Sequence, residues 1–121
     1  MPVRAIRGAT TVDADTPEQV TARVGELVAA MLERNGLSTG DLISLLFTAT
    51  PDITSTYPAT AARAALGLDS VPLLGAQELA VQGGVPRCIR VMAHVETDRP
   101  AAEIRHVYLE GARHIRHDLA Q

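Results

Sequence analysis

The 121-residue chain contains no lysine, no tryptophan and only three aromatic residues, Phe47, Tyr57 and Tyr108. Its core therefore has to be built from Ala, Val, Leu and Ile, which are plentiful because 46% of the chain is hydrophobic. All eleven basic side chains are arginines, whose planar fork of donors suits carboxylates and phosphates. This length and composition predict a single domain over residues 1–121.

Other shortages exclude whole classes of function. The single cysteine, Cys88, cannot form an internal disulfide and fits a reducing compartment, so we expect a cytoplasmic protein. No apolar run approaches the roughly 18 residues of a membrane span, and the N-terminus lacks the apolar core of a signal peptide. The net charge of −3 argues against binding to nucleic acid and to an anionic membrane surface.

Motifs for metal binding and nucleophilic catalysis are also missing from the sequence. The histidines do not pair with carboxylates at metal-ligand spacing, and Cys88 has no second cysteine to share a metal. Neither a Gly-x-Ser-x-Gly motif nor a phosphate-binding glycine loop occurs. We therefore expect no metal site.

Hydrophobic periodicity and turn residues predict the order β-α-β-α-β-β, followed by a segment of mixed character. The predicted strands and helices, in chain order, are 3–12, a helix opened by Thr16, 42–50, a helix over 59–67, 71–74 and 88–96. Thr16, Pro17 and Gln19 form a capping box, and Asn35-Gly36 ends that helix. For 101–115 we expect a helical turn, a short strand and another turn. The class is α+β or mixed α/β.

The most regular predicted strand, 88–96, carries an arginine among apolar residues. Alternation gives Arg90 the same face as Cys88 and Met92, opposite a wholly apolar face. Such an arginine lies either at a sheet edge, which periodicity alone favours, or in a cleft. Arg7 poses the same question on the first strand, and two inward arginines would together bind an anionic ligand.

Several motifs resemble those of the AroH-class chorismate mutases. They occur in order and at family spacing: IRGATTV (6–12), TATPD (48–52), YPATAAR (57–63), CIRVM (88–92) and IRHVYLEGA (104–112). The resemblance runs from residue 4 to Leu119. It implies an α+β fold with helices on one side of a mixed sheet, and a homotrimer that packs its sheets into a pseudo-α/β-barrel core.

The resemblance also implies a function. Chorismate mutases of this class convert chorismate to prephenate by an intramolecular Claisen rearrangement, in the biosynthesis of aromatic amino acids. They use no cofactor and no metal, and their active sites lie between subunits. On this basis we expect a small dicarboxylate as substrate and further copies of the chain as partners.

Site residues follow from the resemblance position by position. Arg90 matches the arginine that donates to the ether oxygen, and Glu78 matches the carboxylate that faces developing positive charge. Arg7 and Tyr108 match groups that hold a substrate carboxylate. The peripheral matches are the capturing cations Arg63 and Arg116 and the aromatic wall Tyr57. The resemblance implies that segments 57–63 and 73–78 face the other site residues across a subunit boundary.

Three departures from the family pattern concern the capture of substrate. Thr60 and Gly75 stand where a member of the family has Lys and Cys, so a cation and a side chain beside Glu78 are lost. His117 lies where LRPDL is more usual, and we expect a mobile tail over 115–121. Because the departures leave the main site residues intact, we expect unchanged chemistry with weaker capture.

Two other functions stay open at this point. Small trimers that hydrolyse enamines or imines also place an arginine at a subunit cleft. Their substrates carry one carboxylate, which explains the Arg7, Arg90 and Glu78 set poorly. A catalytically inert regulatory subunit would keep the fold and lose one of those residues or Tyr108, and all are present. Each residue alone is explained by a surface or core position, so only their joint occurrence favours the mutase.

Overall fold

The computed structural model describes residues 2–115, which form one mixed five-stranded sheet and two α-helices. The strands are β1 (Val3–Thr11), β2 (Leu42–Ala49), β3 (Leu73–Gln77), β4 (Cys88–Glu96) and β5 (Val107–Tyr108). The helices are α1 (Pro17–Glu33) and α2 (Pro58–Leu66). Short 3₁₀ turns cover Thr39–Asp41, Ala101–Glu103 and Glu110–His114. In this part of the chain, no helix is both long and apolar enough to cross a membrane.

The sheet order is β3-β2-β4-β1-β5, which places β4 at the centre. β4 runs antiparallel to both of its neighbours, β1 and β2. The outer pairs, β2 with β3 and β1 with β5, are parallel. Because β4 has a hydrogen-bonded strand on each side, the edge position that periodicity favours for Arg90 is wrong.

Helix α1 begins at the predicted cap, with one difference. The Thr16 hydroxyl accepts from the backbone N–H of Gln19 at 3.2 Å, and Pro17 occupies the first helical turn. The Gln19 side chain does not return to Thr16, as a full capping box requires. Its oxygen accepts from the backbone N–H groups of Asp13 and Ala14 and so fixes the loop before the helix.

The hydrophobic core lies between the helices and one face of the sheet. The predicted apolar stripe of α1 is buried throughout: Val20, Val24, Leu27, Val28, Met31 and Leu32. It packs closely on β1, since a Cβ at Gly8 would lie 2.5 Å from the Met31 sulfur. The opposite face is open over β2 and β3, where Leu74 is 66% exposed. Near β5 the same face carries a small buried cluster of Ala9, Cys88, Tyr108 and Ala112. The prediction of a mixed sheet with helices on one side is confirmed, whereas the trimeric core stays a prediction.

The element boundaries agree with the predicted ones except at β3. The sequence predicts a strand over 71–74, whereas β3 spans Leu73–Gln77 and pairs with Leu45–Ala49 of β2. As an edge strand, β3 is mostly exposed, and its position is set by backbone pairing rather than by a hydrophobic pattern. The turn-strand-turn expected over 101–115 is confirmed.

Asn35 joins the end of α1 to the segment that leads into β5. Its side chain is buried, and the amide donates to the carbonyls of Met31 at 2.7 Å and Arg105 at 2.9 Å. The amide oxygen accepts from the N–H of Arg105 at 2.8 Å. One side chain therefore satisfies backbone groups of its own helix and of Arg105, which lies 70 residues further along the sequence.

We expect Asn35→Ala to lower the free energy of unfolding by about 2–4 kcal/mol, because both polar backbone groups of Arg105 lose their partner. Urea denaturation at equal protein concentration measures the change. Glu33→Ala, at an exposed position in the same helical turn, is the matched control and should change stability little. Equal urea midpoints for Asn35→Ala and the native chain would contradict the bridging role.

Candidate active site

Strand register brings three of the predicted site residues, Arg7, Arg90 and Tyr108, together on the open face of the sheet. One row across the strands consists of Tyr108, Ala9, Arg90, Thr48 and Ala76. The next row on the same face contains Arg7, paired with Met92. Since side chains alternate along a strand, Arg7 and Arg90 project from the same face on adjacent strands.

These rows form the floor of a pocket of about 290 Å³, which we call the arginine cleft. Its lining residues are Arg7, Gly8, Leu46, Thr48, Glu78, Arg90, Val91, Met92 and Tyr108. Two arginines face one glutamate, and Arg7 makes no ion pair with any residue in 2–115. The cleft therefore carries net positive charge, which suits an anionic ligand.

Glu78 lies between Arg90 and Thr48. Its Oε2 lies 3.3 Å from Nε of Arg90, and its Oε1 accepts from the Thr48 hydroxyl at 2.5 Å. Glu78 directly follows β3, and its backbone N–H donates to the carbonyl of Ala49 at 2.8 Å. Both charged side chains are partly buried, with 35% of Arg90 and 23% of Glu78 exposed. The cleft thus holds a fixed positive and a fixed negative group side by side.

Two buried donors in the cleft have no hydrogen-bond partner among the described residues: Nε of Arg90 and the hydroxyl of Tyr108. Tyr108 is only 2% exposed, so its hydroxyl has little access to water. A buried polar group without a partner costs about 1–3 kcal/mol. Both donors are therefore suited to receive oxygen atoms of a ligand.

Cys88 adjoins this site without contributing a reactive group. It lies on the Arg90 face of β4 and packs, 1% exposed, with Ala9, Tyr108 and Ala112. Burial raises the pKa of the Cys88 thiol, and the nearby Arg90 guanidinium only partly opposes that effect. At neutral pH the side chain is thus an uncharged wall behind the arginine.

Three further predicted positions line a second pocket, of about 670 Å³, which we call the loop cavity. It is formed by loop 50–57, the start of α2 and β3, and it is lined by Tyr57, Thr60 and Gly75. Arg63 is exposed on α2 and lines neither pocket. Arg116 and His117, like the expected mobile tail beyond Ile115, lie outside the described residues.

The resemblance implies that segment 73–78, which includes Glu78, faces Arg90 across a subunit boundary. For Glu78 this prediction is wrong. Glu78 lies beside Arg90 within one chain, whereas Gly75 faces the loop cavity, where it is paired with Phe47. A boundary between subunits would therefore have to separate Gly75 from Glu78. The reason is local, because the chain leaves the edge strand at Gln77 and turns toward the open face.

Sequence reasoning missed three residues around the two pockets: Thr48 and the loop carboxylates Asp15 and Asp52. Asp15 accepts from the N–H of Thr54 at 2.8 Å and of Ser55 at 3.1 Å. Asp52 accepts from the Thr50 hydroxyl and from the Arg87 N–H at 2.9 Å. The Thr-Pro-Asp sequence indicates the local turn at Asp52. No local pattern links Asp15 to a loop 39 residues away.

Hydrogen bonds set the ionisation of both loop carboxylates. The backbone N–H groups of Thr54, first, and Ser55 lower the pKa of Asp15 below its ordinary value of 3.8. The Thr50 hydroxyl, followed by the Arg87 backbone N–H, lowers the pKa of Asp52 in the same way. Each carboxylate therefore stabilises the loop in its ionised form.

We expect the free energy of unfolding to fall when the pH drops from about 5 to about 2. A lowered folded pKa gives stability that is present above the unfolded value and is lost as the pH falls through the folded value. Urea denaturation across this range should show a weaker pH dependence for Asp15→Asn and Asp52→Asn. The exposed acid Asp98 provides the control, since Asp98→Asn should leave the slope unchanged. If both loop variants keep the native dependence of unfolding free energy on pH, Asp15 and Asp52 are not the groups that cause it.

Within residues 2–115, no three His, Cys, Asp or Glu side chains lie close enough together to hold a metal ion. The arrangement instead offers charge and hydrogen-bond donors. It can bind an anion through Arg7 and Tyr108, and it can stabilise separated charges between Arg90 and Glu78.

Known chorismate mutases are similar to this chain over nearly its whole length. The family model for chorismate mutase type I matches residues 3–119. The chain is 50% identical over 118 residues to chorismate mutase AroH of Thermus thermophilus, covering 97% of this chain and 96% of that protein. It is 43% identical over 120 residues to chorismate mutase AroH of Bacillus subtilis (strain 168), covering 99% and 94%.

The fold also indicates a chorismate mutase. The structure is similar to that of a chorismate mutase from Clostridium thermocellum, with a TM-score of 0.87 and 46% sequence identity. The match covers 90% of this chain and 96% of that chain. Sequence and fold agree, and the chain belongs to the type I, or AroH, family of chorismate mutases.

Proposed function

We propose that the chain is an isomerase that converts chorismate to prephenate by an intramolecular Claisen rearrangement. The observation that carries this proposal is the arginine cleft, where the unpartnered donors of Arg90 and Tyr108 lie beside Glu78 and Arg7. Family membership supports the reaction, and the geometry supports a role for each of the four side chains.

The reaction determines which groups a catalyst needs. Chorismate carries two carboxylates, and its two reacting ends meet only in a folded, chair-like conformation. In the transition state, the breaking ether oxygen gains negative charge and the ring gains positive charge. A protein can therefore accelerate the reaction by holding the folded conformer and by placing fixed charges at these two points.

The pair of Arg90 and Glu78 matches that distribution of charge. Arg90 donates to the ether oxygen, and Glu78 accepts from the ring hydroxyl and faces the positive ring. The two groups are already 3.3 Å apart and are held on the sheet, so little reorganisation is needed during the reaction. One preorganised donor of this kind contributes about 3–4 kcal/mol to transition-state stabilisation.

Arg7 and the Tyr108 hydroxyl hold a substrate carboxylate. Arg7 projects one row away from Arg90 on the neighbouring strand and lacks an acidic partner within residues 2–115. Tyr108 extends the row of Arg90 on the other side of β1. A substrate between them contacts Arg90 at its reacting end and Arg7 at its charged end, which favours the folded conformer.

We propose that three copies complete three sites, each combining the arginine cleft of one subunit with the loop cavity of its neighbour. The open sheet face supports this assembly, because Leu46 and Leu74 are exposed there. Leu79, beyond β3, is also 83% exposed. Apolar side chains exposed in this density are typical of a protein interface. Tyr57, 76% exposed at the loop cavity, provides an aromatic wall to a neighbouring cleft.

The rival functions explain the cleft less well. An enamine or imine hydrolase with a monocarboxylate substrate needs one arginine clamp, whereas Arg7 and Arg90 share this cleft with Glu78. An inert regulatory subunit has no need for Arg7, Glu78, Arg90 and Tyr108 to meet in one cleft. The mutase reaction uses all four, and its product serves the biosynthesis of aromatic amino acids in the cytoplasm.

We expect Arg90→Lys to lower kcat by about 10³-fold, because the variant keeps the charge and loses the planar fork of donors. The assay follows the loss of chorismate absorbance with purified protein and no added metal or cofactor. Arg34→Lys makes the same exchange at an exposed position outside both pockets and should retain native turnover. Near-native turnover in Arg90→Lys would remove this residue from its central role.

We expect Thr60→Lys and Gly75→Cys to lower KM by about two- to fivefold, since each adds a group at the proposed capture region. Both positions line the loop cavity, and a Cβ at Gly75 would have no atom within 4 Å, so the larger side chain fits. Initial rates give KM, and light scattering of the same samples gives the assembly state. Unchanged KM in both variants, or a fully active monomer, would count against a shared site.

A further inference from the structure

We propose that Thr48 is a positioning residue for the mutase reaction, whose hydroxyl keeps Glu78 from occupying the donors of Arg90. The inference rests on the proposed function and deepens it. The family motifs assign no role to Thr48, and its contact with Glu78 becomes visible only in the folded chain.

The two oxygens of the Glu78 carboxylate have different neighbours. The Thr48 hydroxyl donates to Oε1 at 2.5 Å, and Nε of Arg90 lies 3.3 Å from Oε2. Thr48 and Arg90 are directly paired across β2 and β4, so their separation is fixed by the sheet. The carboxylate cannot turn fully toward Arg90 without breaking its hydrogen bond to Thr48.

The Arg90–Glu78 contact is an ion pair that leaves Nε without a hydrogen bond among the described residues. Arginine and carboxylate normally form two parallel hydrogen bonds when nothing prevents it. Here the carboxylate is close enough for attraction and is turned away from the paired geometry. Thr48 is the residue that holds it there.

Glu78 needs such a restraint because only one hydrogen bond ties its backbone to the sheet. It follows the edge strand β3, and it is tied to the sheet by the hydrogen bond from its N–H to the carbonyl of Ala49. Several side-chain torsions separate that point from the carboxylate. Without the hydroxyl, Arg90 is the strongest partner within reach, and pairing with it would use the donor that the ether oxygen requires.

Thr48→Val tests the proposal because it removes the hydroxyl and keeps the β-branched shape that suits a strand. We expect kcat to fall by about 10- to 100-fold, the effect of losing one hydrogen bond to a charged group. KM should change little, because Arg7 and Tyr108 still hold the carboxylate of the substrate. Thr48→Ser keeps the hydroxyl and should retain kcat within about threefold of the native value.

Ser44→Ala is the matched control. Ser44 lies on the same strand and face as Thr48, and its hydroxyl contacts Nδ1 of His94 at 3.2 Å, away from Glu78. Its loss should leave kcat unchanged. Thr48→Ala is a second variant without the hydroxyl, for use if the valine variant is poorly folded.

A double-mutant cycle with Glu78→Gln shows whether Thr48 acts through Glu78. Residues that act as a unit are not additive, so adding Thr48→Val to Glu78→Gln should cost almost nothing further. The same loss in both backgrounds would overturn the proposal. A rise in KM alone would overturn it as well, because it would mean that the hydroxyl contacts the substrate.

A crystal structure of the Thr48→Val variant separates this inference from the proposed function. We expect the Glu78 carboxylate to rotate and form two hydrogen bonds with Arg90. An unmoved carboxylate would overturn the positioning role even if the native chain proves inactive on chorismate. No turnover by the native chain would instead overturn the proposed function and leave the crystallographic result to decide the role of Thr48.

Discussion

A guanidinium at the centre of a β-sheet constrains everything around it. Arg90 projects from β4, which is hydrogen-bonded on both sides, so solvent and ligands approach it only across the open face. Its acidic neighbour, Glu78, arrives from the end of β3, with β2 and Thr48 between the two strands. That geometry depends on the parallel pairing of β2 and β3, which requires the crossover through α2. The crossover through α2, on one side of the sheet, thereby helps to place Glu78 beside Arg90 on the other side.

The division between the two faces follows from the composition of the chain. With a single phenylalanine in the core, small residues bring the two helices close together, as at Gly25 of α1, where an added Cβ would lie 2.9 Å from Cβ of Ala65 in α2. Both helices are used on one face, so hydrophobic burial is concentrated there. The other face is free to carry the arginines and the glutamate of the arginine cleft, together with exposed leucines.

Local patterns predicted the elements that depend on local physics. The apolar stripe and cap of α1 and the alternation of β4 led to correct boundaries, because burial on one side leaves a period in the sequence. The edge strand β3 lacks that period and was misplaced by two residues at its start. The central position of Arg90 could not be predicted either, since strand order depends on pairings between distant segments. The same limit applies to Thr48 and Asp15, whose partners lie 30 and 39 residues away, whereas the family resemblance pointed to Glu78 itself.

The contact between β1 and α1 at Gly8 has an evolutionary consequence. Gly8 lies between Arg7 and Ala9, and the Met31 sulfur lies where its side chain would begin. A larger residue 8 requires the side chains of Met31 and Leu27 to move or to be shortened; otherwise β1 shifts and carries the arginine beside it out of place. Positions 8 and 31, 23 apart in the sequence, are therefore expected to vary together. A helix on the far side of the sheet thus limits which residues the strand beneath the arginine cleft can accept.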